Sequence, residues 1–270
     1  MSDDARGQVA AAAAQIYEDV FVPALFEPWA EPMLDAAEVA PGDTVLDVGC
    51  GTGVLARAAT RRVGAAGEVV GLDPNEGMLA VARRTAEPVV WRRGVAEQLP
   101  FETGRFDRVV CQFALMFFDD RHRAVAEMAR VLRPGGTIAV ATWSGLDDSP
   151  GYASLVEVLR RVVSDEAAQS LLAPFTLGTP EILTDIVATA FPGAATTRHD
   201  GTARFTSIEA WIHTEIRGWT LADRIDRATF ERLLAEGRRV LSRFTDESGR
   251  VEFAAPALIA TAINVKATIE

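Results

Sequence analysis

The sequence predicts an α/β protein built on a doubly wound, mostly parallel sheet. Between residues 44 and 143 short apolar runs alternate with amphipathic helical stretches. Alternation of this kind implies right-handed crossovers between parallel strands. The first run, Val45-Leu46-Asp47-Val48, leads directly into a glycine turn, Gly49-Cys50-Gly51-Thr52-Gly53. Finally, 49% of the 270 residues are hydrophobic and mean hydropathy is +0.11, as expected where strands are buried on both faces.

Taken in order, Ile16 and Val20 with Tyr17 and Phe21 beside them give an N-terminal helix over 8–21, whose stripe begins at Val9 and Ala12. Pro23 is expected to interrupt it before a second helix over 24–39, holding Leu25, Phe26, Trp29, Met33 and Leu34. After the Pro41-Gly42 turn, strands are predicted at 44–48, 68–72, 88–92, 106–111 and 137–143, with helices at 53–62, 76–86 and 121–132. Asn75 and Asp120 are placed to cap the second and third of these helices, and Pro134-Gly135-Gly136 turns the chain into the fifth strand. Further on, helices are predicted at 151–163 and 180–190, then a strand over 195–205. Two helices at 207–219 and 227–243 and a last strand over 257–265 complete the chain. The expected organisation is a single domain over 1–270. It has cap helices over 1–40, a ligand-binding core over 41–145, and a half over 146–270 that carries a helical insertion at 206–249.

A formal net charge of −11 argues against sequence-independent nucleic-acid binding, which needs a cationic face. Cys50 and Cys111 make neither a disulfide framework nor a metal-ligand spacing. The acidic start, Met1-Ser2-Asp3-Asp4, does not read as a signal peptide, and no window approaches a membrane span. A cytoplasmic protein is expected.

Glycine lets the turn after the first strand bend sharply and lets a ligand approach its main-chain N–H groups. A carboxylate at the strand end, Asp47, is costly near a sheet's core unless a cation or a donor meets it. The dinucleotide fingerprint G-x-G-x-x-G fails here, because Val54 stands at the last glycine position and Gly53 comes one place early. An aminoacyl group with its ammonium suits Asp47 better than a pyrophosphate would. Asp73 ends the second strand about 20 residues after the loop, where an acid in such folds accepts hydrogen bonds from ribose hydroxyls.

These strings resemble a class I S-adenosylmethionine-dependent methyltransferase with a Rossmann-like fold, of the small-molecule type that includes quinone and sterol methyltransferases. The resemblance spans roughly residues 9–145: VLDVGCGTGVLARAA (45–59), VVGLDPNEGMLAVARR (69–84), GVAEQLPFETGRFDRVVCQFALMFF (94–118) and EMARVLRPGGTIAVATW (127–143). It implies S-adenosyl-L-methionine as cofactor, with its methionine end at Asp47, Gly49, Cys50, Gly51 and Gly53. Asp73 and Pro74 would flank the ribose, and Met78 would line the adenine side. Ala96 and Glu97 stand where the adenine edge is read, although Val95 replaces the acid that the family often has there. Gln112 and Phe113 would lie beside the methyl and the acceptor. Tyr17 and Trp29, with Phe26, match an N-terminal lid.

The implied reaction is transfer of a methyl group to a small organic acceptor through an O, C, N or S nucleophile. Gln112-Phe113-Ala114-Leu115 lacks the acid or Asn followed by Pro-Pro of amide and nucleobase N-methyltransferases. Among three histidines, His122 reads as a solvated surface residue and His199 as part of an outer strand. His213, between Trp211 and Trp219, is the candidate catalytic base. The stripe Ile208, Trp211, Ile212, Ile216 and Trp219 is expected to pack against the sheet's helices and to roof a pocket for a flat or apolar acceptor. A homodimer contact is an alternative use of that helix pair. Two other readings of the same motifs are a binding protein without transfer activity and aminopropyl transfer on the same fold. The latter lacks the extra acids a polyamine would need.

Overall fold

The computed structural model describes residues 14–217 and 225–265. Val9, Ala12 and Trp219 of the expected helical stripes lie outside the described residues. Nine strands are described: β1 Thr44–Val48, β2 Glu68–Asp73, β3 Val89–Arg93, β4 Phe106–Gln112, β5 Leu132–Trp143, β6 Ala195–His199, β7 Thr202–Phe205, β8 Val251–Ala254 and β9 Ala257–Ile263. Seven of them form one sheet in the order β3-β2-β1-β4-β5-β9-β6. β1 to β5 run parallel, with Leu46 level with Val70 on one side and Val109 on the other. β9 is antiparallel to both β5 and β6. The order reverses at β1, and the cleft at that switch point lies over the carboxyl ends of β1 and β4.

The helices are α1 Ala14–Ile16, α2 Ala30–Ala36, α3 Val54–Val63, α4 Glu76–Ala82, α5 Arg121–Val131, α6 Pro150–Val162, α7 Asp165–Ser170, α8 Pro180–Ala188, α9 Ile208–Arg217 and α10 Arg227–Leu241. Both predicted caps are present. The Asn75 side chain accepts from the N–H groups of Gly77 and Met78, and that of Asp120 from Arg123. Central strands are buried because their Val, Leu, Ile and Ala side chains are covered on both faces. The main cluster of buried hydrophobic residues runs from Phe21 to Ala262.

Three expectations need correction. Pro23 does not interrupt the N-terminal helix: α1 widens into a π-type helix over Tyr17–Phe26 that contains it. The wider register tolerates a residue that cannot donate in the i→i−4 ladder. The break falls later, at a 3₁₀ turn over Glu27–Trp29. The strand expected over 195–205 is two strands in different sheets. Asp200-Gly201 is a turn dipeptide, and beyond it β7 leaves the main sheet to pair with β8. β8 and α7 escape periodicity because four and six residues are too short to establish a pattern.

Candidate active site

The turn after β1 is shaped by three glycines in the left-handed region, Gly49, Gly51 and Gly53, at φ +74°, +54° and +91°. The N–H groups of Gly49 and Cys50 both donate to the carbonyl of Leu72, at 2.8 and 3.1 Å, locking the turn to β2. The three positions have different reasons to lack a side chain. A Cβ on Gly49 would lie 2.4 Å from Ala114 Cβ, and one on Gly53 would lie 2.3 Å from the Trp91 ring. A Cβ on Gly51 would meet nothing within 4 Å. It would project into open space.

That space is a cavity of about 1030 Å³, counting its open mouth, above the carboxyl ends of β1, β2, β4 and β5. Of the residues singled out from sequence, Tyr17, Gly49, Gly51, Asp73, Pro74, Met78, Gln112 and Phe113 line it. Asp73 accepts hydrogen bonds from Gly51 N–H at 2.9 Å and Asn75 N–H at 2.8 Å. Burial pushes its carboxyl up to about 6, against the pull of those two donors.

Phe113, at the end of β4, has φ +55°, a conformation rare for an aromatic residue. Its ring lies flat on Trp143, with centroids 3.8 Å apart and planes within 9°. Next to it, Gln112 donates through Nε2 to the carbonyl of Phe26 at 3.1 Å, while its buried Oε1 has no partner. The N-terminal segment is also held from the other side. Glu18 pairs with Arg57 at 2.7 Å, and Arg57 donates to the carbonyl of Thr52 at 2.7 Å. Tyr17 stacks on Phe26 and packs on Met78 and Val81. Burial drives its hydroxyl pKa up.

The structure places six other candidates away from the cavity wall. Asp47 is buried beneath the turn, where the backbone N–H of Ala56 near the start of α3 helps hold its charge, and its Oδ2 has no partner. Burial, with Asp73 nearby, raises it to about 7. Cys50 is buried with its Sγ beside Gly71, and Gly53 meets Trp91, so both face the sheet. Ala96 is core. The Glu97 carboxylate accepts from the N–H groups of Asp119 and Asp120, holding the loop before α5. Trp29, expected in the N-terminal lid, instead packs edge-on against Phe113 and Trp143, behind the cavity lining.

His213 is exposed on the outer side of α9, in a separate groove beside Phe230 of α10. The residue that α9 turns toward the main cavity is Glu215, two positions on. It is buried, and its Oε1 accepts from Tyr152 Oη at 2.7 Å and Trp211 Nε1 at 3.2 Å. Burial lifts its carboxyl to about 7. Tyr152 in α6 is likewise pushed well above its usual range, by burial and then by the Glu215 charge. Phe175, Leu171 and Pro174 complete this end, and Phe117 and Phe118 flank the middle. None of these was singled out from sequence. A signal existed for Glu215: it is an acid four residues after Trp211, within the apolar stripe of α9.

A glycine turn at the switch point, an acid ending β2 and an antiparallel strand beside β5 together define a Rossmann-like methyltransferase core. The residues present fit S-adenosylmethionine, since the missing Cβ of Gly51 opens on the cavity and Asp73 and the unpartnered Gln112 Oε1 stand on its wall.

Comparison with known proteins agrees. A methyltransferase domain family matches residues 46–140. The ubiquinone/menaquinone biosynthesis C-methyltransferase UbiE of Bordetella avium is 37% identical over 174 residues, covering 60% of this chain and 68% of that protein. Its counterpart in Bordetella parapertussis is 38% identical over 169 residues, covering 58% of this chain and 66% of the relative. The chain thus spans about two thirds of the length of these relatives. Phosphoethanolamine N-methyltransferase 2 of Haemonchus contortus, solved with phosphomonomethylethanolamine and S-adenosylhomocysteine, shares the fold at TM-score 0.61 and 18% identity. That match covers 97% of this chain and 60% of the other. The chain belongs to the class I S-adenosylmethionine-dependent methyltransferase family.

Proposed function

We propose that this protein transfers the methyl group of S-adenosylmethionine to a small, flat and largely apolar acceptor, with a reduced quinone ring as the first candidate. One observation carries the reading. A single cavity joins the glycine turn and Asp73 to a wall of Phe113, Trp143, Phe117, Phe118 and Phe175. The relatives named as quinone C-methyltransferases support the choice of acceptor.

When bound, the sulfonium supplies an already activated methyl group, so the protein need form no covalent intermediate. Its task is alignment and exclusion of water. Asp73 would accept from ribose hydroxyls with the lone pairs its two backbone donors leave free. Gly51 allows close approach of the aminoacyl end, and Asp47 below the turn contributes negative potential toward its ammonium. Gln112 Oε1 and the Phe113–Trp143 stack mark the junction of the two subsites. Tyr17, Leu25 and Phe26 cover the junction from the N-terminal side.

Two buried free thiols, Cys50 and Cys111, fit a reducing, cytoplasmic setting. The reading is tested by incubating the protein with methyl-labelled S-adenosylmethionine and 1,4-naphthohydroquinone, beside a bacterial metabolite extract. Label should appear in a lipophilic product. Tight S-adenosylhomocysteine binding with no labelled product from either source would instead leave a binding protein.

A further inference from the structure

The far end of the cavity is closed by a buried acid that cofactor binding does not explain. Glu215 is 2% exposed, yet it lines the wall. Among the described residues no cation pairs with it, and its hydrogen-bond partners, Tyr152 Oη and Trp211 Nε1, are neutral donors on one oxygen, Oε1. As a core residue Glu215 would only satisfy a tyrosine and an indole. Glutamine would meet both donors equally well without the cost of an ionisable group in an apolar setting. A carboxylate placed against Phe175, Leu171 and Pro174 calls for a partner that arrives with the ligand.

Resting on the methyltransferase reading above, we propose that Glu215 is the acceptor-side base. It receives the hydroxyl proton of a flat, hydroxylated aromatic acceptor while Tyr152 and Trp211 position it. The acceptor O–H bond breaks, an O–H bond forms on the Glu215 carboxylate, and the electron pair stays on the acceptor. That pair attacks the methyl carbon, from the oxygen or from a ring carbon conjugated with it. The carbon–sulfur bond breaks with its electrons going to sulfur. After attack from carbon, the ring C–H proton is lost and the oxygen is reprotonated. Either way one methyl enters the acceptor and one proton leaves through Glu215 to solvent.

A hydroxyl suits this site better than an ammonium. A neutral hydroxyl enters an apolar cavity at modest cost. An ammonium beside a carboxylate is held in its protonated form, which is not nucleophilic. Tyr152, hydrogen-bonded to the same oxygen, fixes the rotamer of the acid and leaves Oε2 to meet the acceptor.

The test uses the full-length protein saturated with S-adenosylhomocysteine, titrated by calorimetry with 1-naphthol, 1-methoxynaphthalene and 1-naphthylmethylammonium at pH 8. The wild type should prefer 1-naphthol over its methyl ether by about ten-fold or more, the usual worth of a hydrogen bond to a charged group. Glu215→Gln should reduce that preference to less than about three-fold, with a cooperative melt and with S-adenosylhomocysteine affinity held within about two-fold. Glu215→Asp, which keeps the charge one methylene further back, should retain an intermediate preference and guards against misfolding of the first variant. An equal naphthol preference in wild type and Glu215→Gln overturns the proposal. So does a wild type without that preference, or one that selects the ammonium. If S-adenosylhomocysteine itself fails to bind the wild type, the methyltransferase reading falls, and this inference with it.

Discussion

The carboxylate of Asp73 accepts a hydrogen bond from the backbone N–H of Gly51 at 2.9 Å, tying the end of β2 to the glycine turn that follows β1. Its second oxygen accepts from Asn75 N–H at 2.8 Å, and Asn75 caps α4 in turn. One acid therefore sets the geometry of two neighbouring loops and also stands on the cavity wall.

Replacing Asp73 by Ala leaves two backbone donors without their acceptor and removes the proposed ribose partner. A hydrogen bond to a charged group is worth about 1.5–3 kcal/mol. The dissociation constant for S-adenosylhomocysteine should therefore rise at least about ten-fold in calorimetry. Affinity unchanged in a folded Asp73→Ala protein would remove Asp73 from the cofactor site.

Gly51 and Gly53 of the turn should separate by phenotype. Gly51→Val places its side chain in open cavity at φ +54°, so its stability cost is backbone strain of roughly 1–2 kcal/mol while cofactor binding should be lost. Gly53→Ala drives a methyl to within 2.3 Å of the Trp91 ring, so it should lower the melting temperature more than Gly51→Val does. Melting curves read beside calorimetry decide it. Loss of binding by both variants in proportion to stability would mean that the turn is only scaffold.

Much of the fold was legible because local signals agreed. The first five strands start and end within a few residues of expectation, β5 excepted, because apolar runs of strand length are bounded by turn residues. β5 begins at Leu132 rather than 137, because Leu132 already pairs with Phe106 of β4 and the residues up to Thr137 are taken up by a register shift. The cofactor half was readable for the same reason: Gly49 and Gly51 share one motif, and Asp73 ends the next strand, where it meets Gly51 in space. The acceptor half was not, because Tyr152, Phe175 and Glu215 come from separate elements and only tertiary packing unites them. His213 shows the limit of the method. A ten-residue helix presents residues 213 and 215 to nearly opposite sides, and two apolar neighbours in sequence do not say which side is the cavity.

Phe113 combines a left-handed backbone with a stacked, buried ring, and these two features respond differently to truncation. Removing the ring should destabilise by about 3–5 kcal/mol in Phe113→Ala. Phe113→Gly loses the same contacts but relieves the Cβ strain at φ +55°. The glycine variant should therefore be more stable than the alanine variant by about 1 kcal/mol, the reverse of their usual order. Denaturant unfolding of the two variants checks this. Alanine the more stable would show that the positive φ of Phe113 is not strained.

The pH dependence of stability isolates Glu215. Its folded carboxyl is raised to about 7 from the ordinary 4.5, chiefly by burial. Between those values the folded chain binds more protons than the unfolded chain, so stability is greatest below the lower value and falls as pH rises through the higher one. The full difference corresponds to roughly 3 kcal/mol. Asp47 and Asp73, raised for the same reason, act in the same direction but are common to wild type and variant. Glu215→Gln keeps an acceptor for Tyr152 and Trp211 and removes only the titration. Its melting temperature relative to wild type should therefore climb between pH 5 and pH 8, by several degrees for a chain of this size. A flat difference across that range would mean that the carboxylate ionises as an exposed one does. The cavity end would then be wet, and an apolar acceptor would have no reason to seek it.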